Sequence, residues 1–129
     1  MAIAYWCILI AAALPYLWIT VGKASGSRYD NRDPRAWLAK QSNPRVQRGN
    51  AAHLNAFEAF APFAAGVLMA QAAGVDPGRI AALAVAFIVC RVLHGVFYVT
   101  DKHPLRSLAW MLGLGCVAAL MVQGALRMA

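Results

Sequence analysis

The sequence has 129 residues, of which 61% are hydrophobic and only 13% are charged, and its formal net charge at pH 7 is +7. Because soluble domains carry about one quarter charged residues, this composition excludes an ordinary soluble domain and indicates an integral membrane protein. The positive charge is concentrated in the connections between apolar segments, which is typical of a topology signal and gives no reason to expect nucleic-acid binding.

Four apolar segments follow one another along the chain, each close to the roughly 20 residues that a helix needs to cross a hydrocarbon core. They comprise residues 3–21, 51–73, 80–99 and 107–126. Since backbone polar groups must be paired in lipid and no alternating strand pattern is present, the segments should be helices. No basic residue precedes the first segment, which is therefore expected to be retained and not cleaved as a signal. The predicted fold is all-α, a single four-helix membrane bundle.

The connection between the first two segments, residues 22–50, is long and basic. Its charged residues are Lys23, Arg28, Asp30, Arg32, Asp33, Arg35, Lys40, Arg45 and Arg48. Seven basic and two acidic residues give +5, so the positive-inside rule places this connection in the cytoplasm and both termini away from it, as in a bacterial-type inner membrane or its equivalent. Asp33 followed by Pro34 predicts a short helix at residues 36–40. The connection is either a functional lid or binding loop, or a solvated tether near lipid.

Two charged side chains lie deep inside the predicted spans. Glu58 is eight residues into the second helix, and Arg91 is nine residues from the cytoplasmic end of the third. At about 1.5 Å per residue, both lie about 12 to 14 Å deep. A lone charge in hydrocarbon costs at least a few kcal/mol, so their equal depth and opposite sign predict an ion pair between Glu58 and Arg91.

These two residues belong to a larger polar set near the cytoplasmic end of the bundle. The set is Asn55, Glu58, Arg91, His94, Tyr98, Arg106 and Ser107. The three members on the third helix follow the i, i+3, i+7 spacing of one helical face. The set predicts a pocket open to the cytoplasm, with a cationic mouth for an anionic ligand and lipid supplying an apolar co-substrate. The alternative is that these residues only hold helices together, at about 1 kcal/mol per contact.

The histidines give no indication of a metal site. None has a neighbouring carboxylate or thiol at the spacing that zinc ligands show, so no metal is expected. On the second helix, His53 points away from Asn55 and Glu58, which indicates a cap or a subunit contact. His103 is expected to lie in a loop.

Two stretches of the sequence carry a family resemblance. "RGNAAHLNAFEAFAPF" at residues 48–63 and "CRVLHGVFYVTDKHPLRSLAW" at residues 90–110 resemble the MAPEG family, the membrane-associated proteins of eicosanoid and glutathione metabolism. The resemblance covers the second to fourth segments with their spacing, and the first segment only in position and character. It implies a four-helix protomer in a homotrimer. It also implies that glutathione binds between subunits near the cytoplasmic side, while a lipophilic electrophile or peroxide approaches from the bilayer.

The resemblance also implies roles for individual residues. Asn55, Glu58, His94 and Tyr98 match positions that hold the tripeptide. Arg106 matches an arginine that stabilises the glutathione thiolate, with Ser107 beside it, and Lys23 matches a basic residue at the end of the first helix. The chemistry is reasonable because a guanidinium favours the anionic, nucleophilic form of a thiol.

Three positions depart from the family pattern. Ala51 and Leu54 stand where eukaryotic members tend to carry arginines for the glutathione carboxylates, and Trp110 stands in place of a tyrosine. Charge-assisted hydrogen bonds are among the stronger ones, so the absence of these two arginines predicts weaker binding of glutathione. Alternatively, the ligand is a different thiol, or basic residues of the connection bind the carboxylates instead. Two alternatives to a thiol enzyme stay open: a non-catalytic lipid- or ligand-binding scaffold, and a small multidrug exporter that uses Glu58.

Overall fold

The computed structural model describes all 129 residues, as five α-helices without a strand. The helices are α1 (Ala2–Ala24), α2 (Pro34–Ala39), α3 (Pro44–Ala72), α4 (Pro77–Val99) and α5 (His103–Met128). The prediction of an all-α fold is confirmed. The second apolar segment is part of a longer helix than expected, because α3 starts at Pro44 and not near residue 51.

The starts of α2, α3 and α4 share one local design. Asp33, Asn43 and Asp76 precede these helices, and each is followed by a proline in the first turn. Their side-chain oxygens accept hydrogen bonds from the backbone N–H groups of Ala36, Arg45 and Arg79, with N···O distances of 2.9 to 3.0 Å. Side-chain caps satisfy donors that the first turn leaves free, and proline has no N–H to satisfy. The short helix predicted from Asp33 and Pro34 is therefore confirmed as α2.

The four long helices pack side by side with α1 antiparallel to α3. The Tyr5 hydroxyl near the start of α1 donates to Gln71 Oε1 near the end of α3 at 2.6 Å, whereas the end of α1 packs on the start of α3. The bundle thus has a connection end, formed by residues 25–43 and 100–102, and a terminal end, formed by both chain termini and residues 73–76.

Two glycines allow α1 and α3 to meet closely at the connection end. A Cβ atom at Gly49 would lie 2.8 Å from the Gly22 nitrogen and 3.0 Å from the Trp18 carbonyl oxygen. Both are backbone atoms of α1 that cannot rotate away. The Trp18 indole in turn lies against Gly95 of α4, where a Cβ would overlap the ring. These contacts fix α1 against the two helices that carry the polar residues.

We expect Gly49→Ala to lower the free energy of unfolding by about 1 to 3 kcal/mol, because the added methyl forces α1 and α3 apart. The measurement is a denaturant titration in mixed micelles. Gly115→Ala is the matched control, since no atom lies within 4 Å of a Cβ built there. Equal stability of the two variants would show that the close crossing of α1 and α3 does not hold the fold together.

The apolar core lies mainly towards the terminal end. Phe63 of α3 and Phe87 of α4 stack with ring centroids 3.9 Å apart, and both are fully or almost fully buried. Val67, Ile80 and Leu120 belong to the same cluster of 12 buried residues. A smaller cluster around Trp18 lies nearer the connection end. Along α4, Arg91 and His94 follow Phe87 by one and two turns, so the polar residues begin where the main core ends.

Three helices, α1, α4 and α5, are long and apolar enough to cross a membrane. The start of α3 carries polar and charged side chains, and α3 does not meet the same criterion. Large apolar side chains are exposed along the outside of the bundle, among them Trp6 at 65%, Leu112 at 55% and Leu126 at 73%. A soluble monomer rarely exposes so much contiguous apolar surface, which agrees with a lipid or subunit environment.

The basic connection is folded against the bundle. Trp37 of α2 is buried, and its Nε1 donates to the Arg28 carbonyl oxygen at 3.0 Å. The Asn43 side chain donates to the Ser25 carbonyl oxygen at 2.6 Å, and Gln41 bonds to the Ser27 side chain. These bonds join residues of the connection to one another, and Pro34, Trp37 and Leu38 line a pocket together with residues of α1 and α3. The contacts disfavour the solvated tether and leave the lid or binding loop as a hypothesis.

Candidate functional site

The deepest polar contact in the bundle joins Arg91 to Asn55. Arg91 is only 4% exposed, and its Nη2 donates to Asn55 Oδ1 at 2.7 Å. The Asn55 Nδ2 donates in turn to Glu58 Oε2 at 3.5 Å. The predicted ion pair between Glu58 and Arg91 is therefore wrong: the amide stands between the two charges, and Glu58 is exposed on the protomer.

The absence of a direct pair has a simple cause. Equal depth sets the height of two side chains but not their direction around each helix. Asn55 and Glu58 point about 60° apart around α3, and Asn55 is the one that faces Arg91. The sole ion pair in the chain is at the connection end, between Arg48 of α3 and Asp101. That contact ties the start of α3 to the turn before α5.

Nearer the connection end, five of the predicted residues line one groove between α3, α4 and α5. We call it the polar groove; it has a volume of about 400 Å³ and is lined by Asn55, His94, Tyr98, Arg106, Ser107, Trp110 and Met111. The Arg106 guanidinium lies over the Tyr98 ring, with 4.4 Å between its central carbon and the ring centroid. Tyr98 meets His94 edge-on, with centroids 5.5 Å apart. The three side chains thus form a column along one wall.

A second cavity, the inner chamber, continues from the polar groove into the bundle. It has a volume of about 170 Å³, and its lining includes Glu58 and Arg91 together with Pro62, Phe87, Gly113 and Val117. Asn55 and Trp110 line both cavities. All predicted site residues except Lys23 therefore line one of two adjoining cavities. Each cavity has one arginine in its lining, Arg91 in the inner chamber and Arg106 in the polar groove.

Two buried nitrogen atoms at this site have no hydrogen-bond partner. They are Arg91 Nε and His94 Nδ1, on residues only 4% and 3% exposed. Buried polar atoms are nearly always paired with protein, water or ligand. Arg91 lines the inner chamber and His94 lines the polar groove, so each cavity has in its wall one residue with a buried nitrogen that no protein atom satisfies.

Lys23 lies elsewhere, on the opposite side of α3. It lines a separate pocket of about 320 Å³ between α1, α2 and α3, here called the α1–α3 pocket, with Arg35, Trp37, Asn50 and His53 among the other lining residues. The Lys23 ammonium lies 3.9 Å from the Tyr29 ring centroid. Within one protomer, Lys23 and Arg106 do not share a cavity.

His53, for which a cap or a subunit contact was expected, makes a contact within the protomer. Its Nδ1 lies 2.8 Å from the Pro15 carbonyl oxygen, and because a carbonyl only accepts, the ring donates through this nitrogen. Its ring also packs edge-on against Tyr16 and Phe57. The contact helps to fix α3 against α1.

The structure adds residues that the sequence analysis did not assign to the site. Trp110 was noted only as a departure from a family pattern, yet it lines both cavities. Met111 lines the groove, and Gly113 and Leu114 line the chamber. The signal was present in the sequence: residues 106, 107, 110, 113, 114 and 117 recur at helical spacing on α5. Of the two missing arginine positions, Leu54 is 52% exposed, and neither lines a cavity described above.

A comparison with protein families now decides the family. A family model described as the MAPEG family matches residues 3–126. The chain belongs to the MAPEG family. The match includes α1 and the basic connection, where the resemblance of the residues themselves was weakest. A search of curated proteins found no match.

Family membership and the three apolar helices together make this MAPEG protein an integral membrane protein. MAPEG proteins are associated with glutathione and eicosanoid metabolism, so the two adjoining cavities are candidate sites for that chemistry. A multidrug exporter would depend on a membrane glutamate that titrates, and no arginine pairs directly with Glu58 to prevent this. Membership of the MAPEG family is what disfavours the exporter.

Proposed function

We propose that this MAPEG protein binds glutathione or a related thiol in the polar groove and transfers it to lipophilic electrophiles or uses it to reduce hydroperoxides. The observation that carries the proposal is the position of Arg106, which lies over Tyr98 and beside Ser107 in the same groove as Asn55 and His94. A guanidinium there stabilises a thiolate. The hydroxyl and amide groups offer the remaining polar contacts.

Two reactions are open to such a thiolate. In transfer, the sulfur forms a bond to an electrophilic carbon. In a substitution, the leaving group departs with its bonding electron pair. In an addition, no group leaves, and a proton from solvent completes the product. In reduction, the sulfur attacks a peroxide oxygen and releases an alcohol after protonation. A second thiol then converts the resulting sulfenic acid to a disulfide and water. Neither reaction requires a metal.

The proposal includes the membrane arrangement. We place α3 in the bilayer beside α1, α4 and α5, as a fourth span, with the connection end in the cytoplasm and both termini away from it. The packing of α3 against α1, α4 and α5 supports this placement, since α3 runs antiparallel to α1 along the length of the bundle. The +5 charge of residues 22–50 supports the orientation.

We further propose a homotrimer in which the thiol lies between subunits. The polar groove and the α1–α3 pocket open on opposite sides of α3. One ligand therefore reaches both Arg106 and Lys23 only when the second comes from a neighbouring subunit. Arg35 of the basic connection lines the same pocket as Lys23, and it supplies a cation in place of the arginines that Ala51 and Leu54 replace.

We expect Lys23→Gln and Arg35→Gln each to raise the KM for glutathione about 5- to 20-fold with little change in kcat, because each removes a charge-assisted bond to a carboxylate. Initial rates at varied thiol concentration in detergent give both constants. Arg32→Gln is the matched control, since Arg32 lies in the same connection and lines none of the described cavities. An unchanged KM in both variants would remove the α1–α3 pocket from the thiol site.

The direct test of the function combines an assay and a binding measurement. Purified protein in detergent is mixed with glutathione and a generic electrophile, and glutathione binding is measured separately by calorimetry. Turnover with binding supports the proposal. Binding without turnover supports a non-catalytic scaffold, which the replacement of the two family arginines by Ala51 and Leu54 would favour. Absence of both for glutathione and for other low-molecular-weight thiols overturns the proposal.

A further inference from the structure

A further cavity lies at the terminal end of the bundle, where the start of α4 meets the end of α5. Its volume is about 470 Å³, larger than that of the polar groove. We call it the terminal cavity; it is lined by Val75, Asp76, Arg79, Gln123, Leu126 and Arg127. None of these residues lines the polar groove, the inner chamber or the α1–α3 pocket. The terminal cavity is therefore separate from the candidate thiol site.

Both arginines of the terminal end line this one cavity. The sequence has 12 lysines and arginines, and all except Arg79 and Arg127 lie inside the bundle or at and near its connection end. Arg79 is in the first turn of α4, and Arg127 is in the last turn of α5. Neither is in an ion pair, because the single ion pair of the protein is at the other end. Two guanidinium groups thus line the same cavity without an anionic partner.

The two arginines lie at the height where lipid headgroups begin. Arg79 directly precedes the apolar segment 80–99, and Arg127 directly follows the apolar segment 107–126. Leu126, which lines the cavity, is 73% exposed, and Val122, one turn earlier on the same face of α5, is 54% exposed. Cations therefore lie next to an exposed apolar surface that leads into the bilayer. The phosphate and the acyl chains of a phospholipid follow one another in the same order.

Asp76 is the one acidic residue in the lining, and helix capping accounts for it. Its Oδ1 accepts a hydrogen bond from the backbone N–H of Arg79 at 2.9 Å. Two guanidinium groups and one carboxylate leave the lining with a net charge of +1. A guanidinium offers paired donors that match the oxygens of a phosphate. The complementary ligand is therefore an anion that carries a phosphate group.

We propose that the terminal cavity binds the headgroup phosphate of an anionic glycerophospholipid, held by Arg79 and Arg127. One acyl chain of the lipid lies along Val122 and Leu126. Basic pockets between membrane helices bind acidic lipid headgroups in other proteins. The bound lipid connects the start of α4 to the end of α5, and it stabilises the folded protein by mass action. This site does not depend on the thiol chemistry, because Arg106 lies near the opposite end of the bundle.

The test measures the binding of palmitoyl-oleoyl phosphatidylglycerol to the purified protein in a neutral detergent, by native mass spectrometry. We expect Arg79→Gln and Arg127→Gln each to raise the Kd about fivefold. The effect of the double variant should differ from the product of the single effects, because both arginines act on one phosphate. Asp76→Asn keeps a capping side chain and removes the opposing charge, so it should lower the Kd about twofold.

Arg32→Gln is the matched control, because Arg32 is an exposed arginine of the basic connection that lines none of the described cavities. It should change the Kd less than twofold, and its effect should multiply independently with that of Arg79→Gln. An equal loss with Arg32→Gln would show diffuse attraction of anionic lipid and overturn the proposal. An unchanged Kd in both Arg79→Gln and Arg127→Gln would do the same.

Three further results would contradict the assignment. Equal affinity for palmitoyl-oleoyl phosphatidylcholine, which has the same acyl chains and a zwitterionic headgroup, overturns the preference for an anionic lipid. Displacement of the lipid by millimolar inorganic phosphate, with the same dependence on both arginines, makes the cavity a site for a soluble anion. A change in the oligomeric mass of Arg79→Gln or Arg127→Gln in the absence of added lipid makes the cavity a subunit contact and overturns the lipid site.

Discussion

Replacing Arg106 with alanine is expected to lower kcat/KM for thiol transfer about 100-fold, the usual loss when one donor to a developing or stabilised anion is removed. The guanidinium lies at the mouth of the polar groove over the Tyr98 ring, where a thiol would meet it from the aqueous side. The measurement is the initial rate with glutathione and a compact electrophile, at varied pH. The variant should recover part of its rate at alkaline pH, because solution hydroxide then forms the thiolate that Arg106 no longer favours.

Two variants make this result specific. Arg106→Lys keeps a cation but loses the planar group that lies on Tyr98, and should retain an intermediate rate. Lys102→Ala removes an exposed cation of the same turn that lines neither cavity, and should change the rate less than twofold. If Arg106→Ala and Lys102→Ala lose activity equally, the effect is general attraction of an anion and not stabilisation of the thiolate.

The secondary structure could be predicted from the sequence because its signals are local. Asp33 with Pro34 places a cap and a first turn within three residues, and the apolar segments set helix length directly. The start of α3 was missed for the same reason. Its first two turns carry Arg45, Arg48 and Asn50, so the hydrophobic pattern began later than the hydrogen-bonded helix did. Hydropathy reports the apolar content of a segment, whereas a helix continues through polar residues for as long as its backbone hydrogen bonds do.

The site was predictable as a set of residues and not as a set of contacts. Helical spacing placed Arg91, His94 and Tyr98 on one face, and the structure brings His94 and Tyr98 to the polar groove and Arg91 to the inner chamber. Which residue of α3 meets Arg91 depends on the rotation of α3 about its axis. That rotation is fixed by distant contacts, such as the Gly22 and Gly49 crossing, which no local pattern reports. The position of Lys23 of α1 in a pocket on another side of α3 has the same origin.

The contact between Asn55 and Arg91 is expected to have the largest effect on stability. Asn55→Leu removes the acceptor at 2.7 Å from Arg91 Nη2 and leaves a buried guanidinium with no neutralising or hydrogen-bonded partner in the protomer. Hydrogen bonds to charged groups contribute about 1.5 to 3 kcal/mol, and an orphaned buried charge costs more. We expect a loss of about 3 kcal/mol in the free energy of unfolding, measured by denaturant titration in mixed micelles.

The double variant Asn55→Leu with Arg91→Met tests the cause. Because it replaces both partners by apolar side chains of similar size, it should recover most of the stability that Asn55→Leu loses. Glu58→Gln should cost less than about 0.5 kcal/mol, since Glu58 is exposed and is 3.5 Å from Asn55 Nδ2 with no direct contact to Arg91. A loss with Glu58→Gln as large as that with Asn55→Leu would mean that the carboxylate neutralises Arg91 in the membrane, and the direct charge pair expected from the sequence would then replace the bridged arrangement.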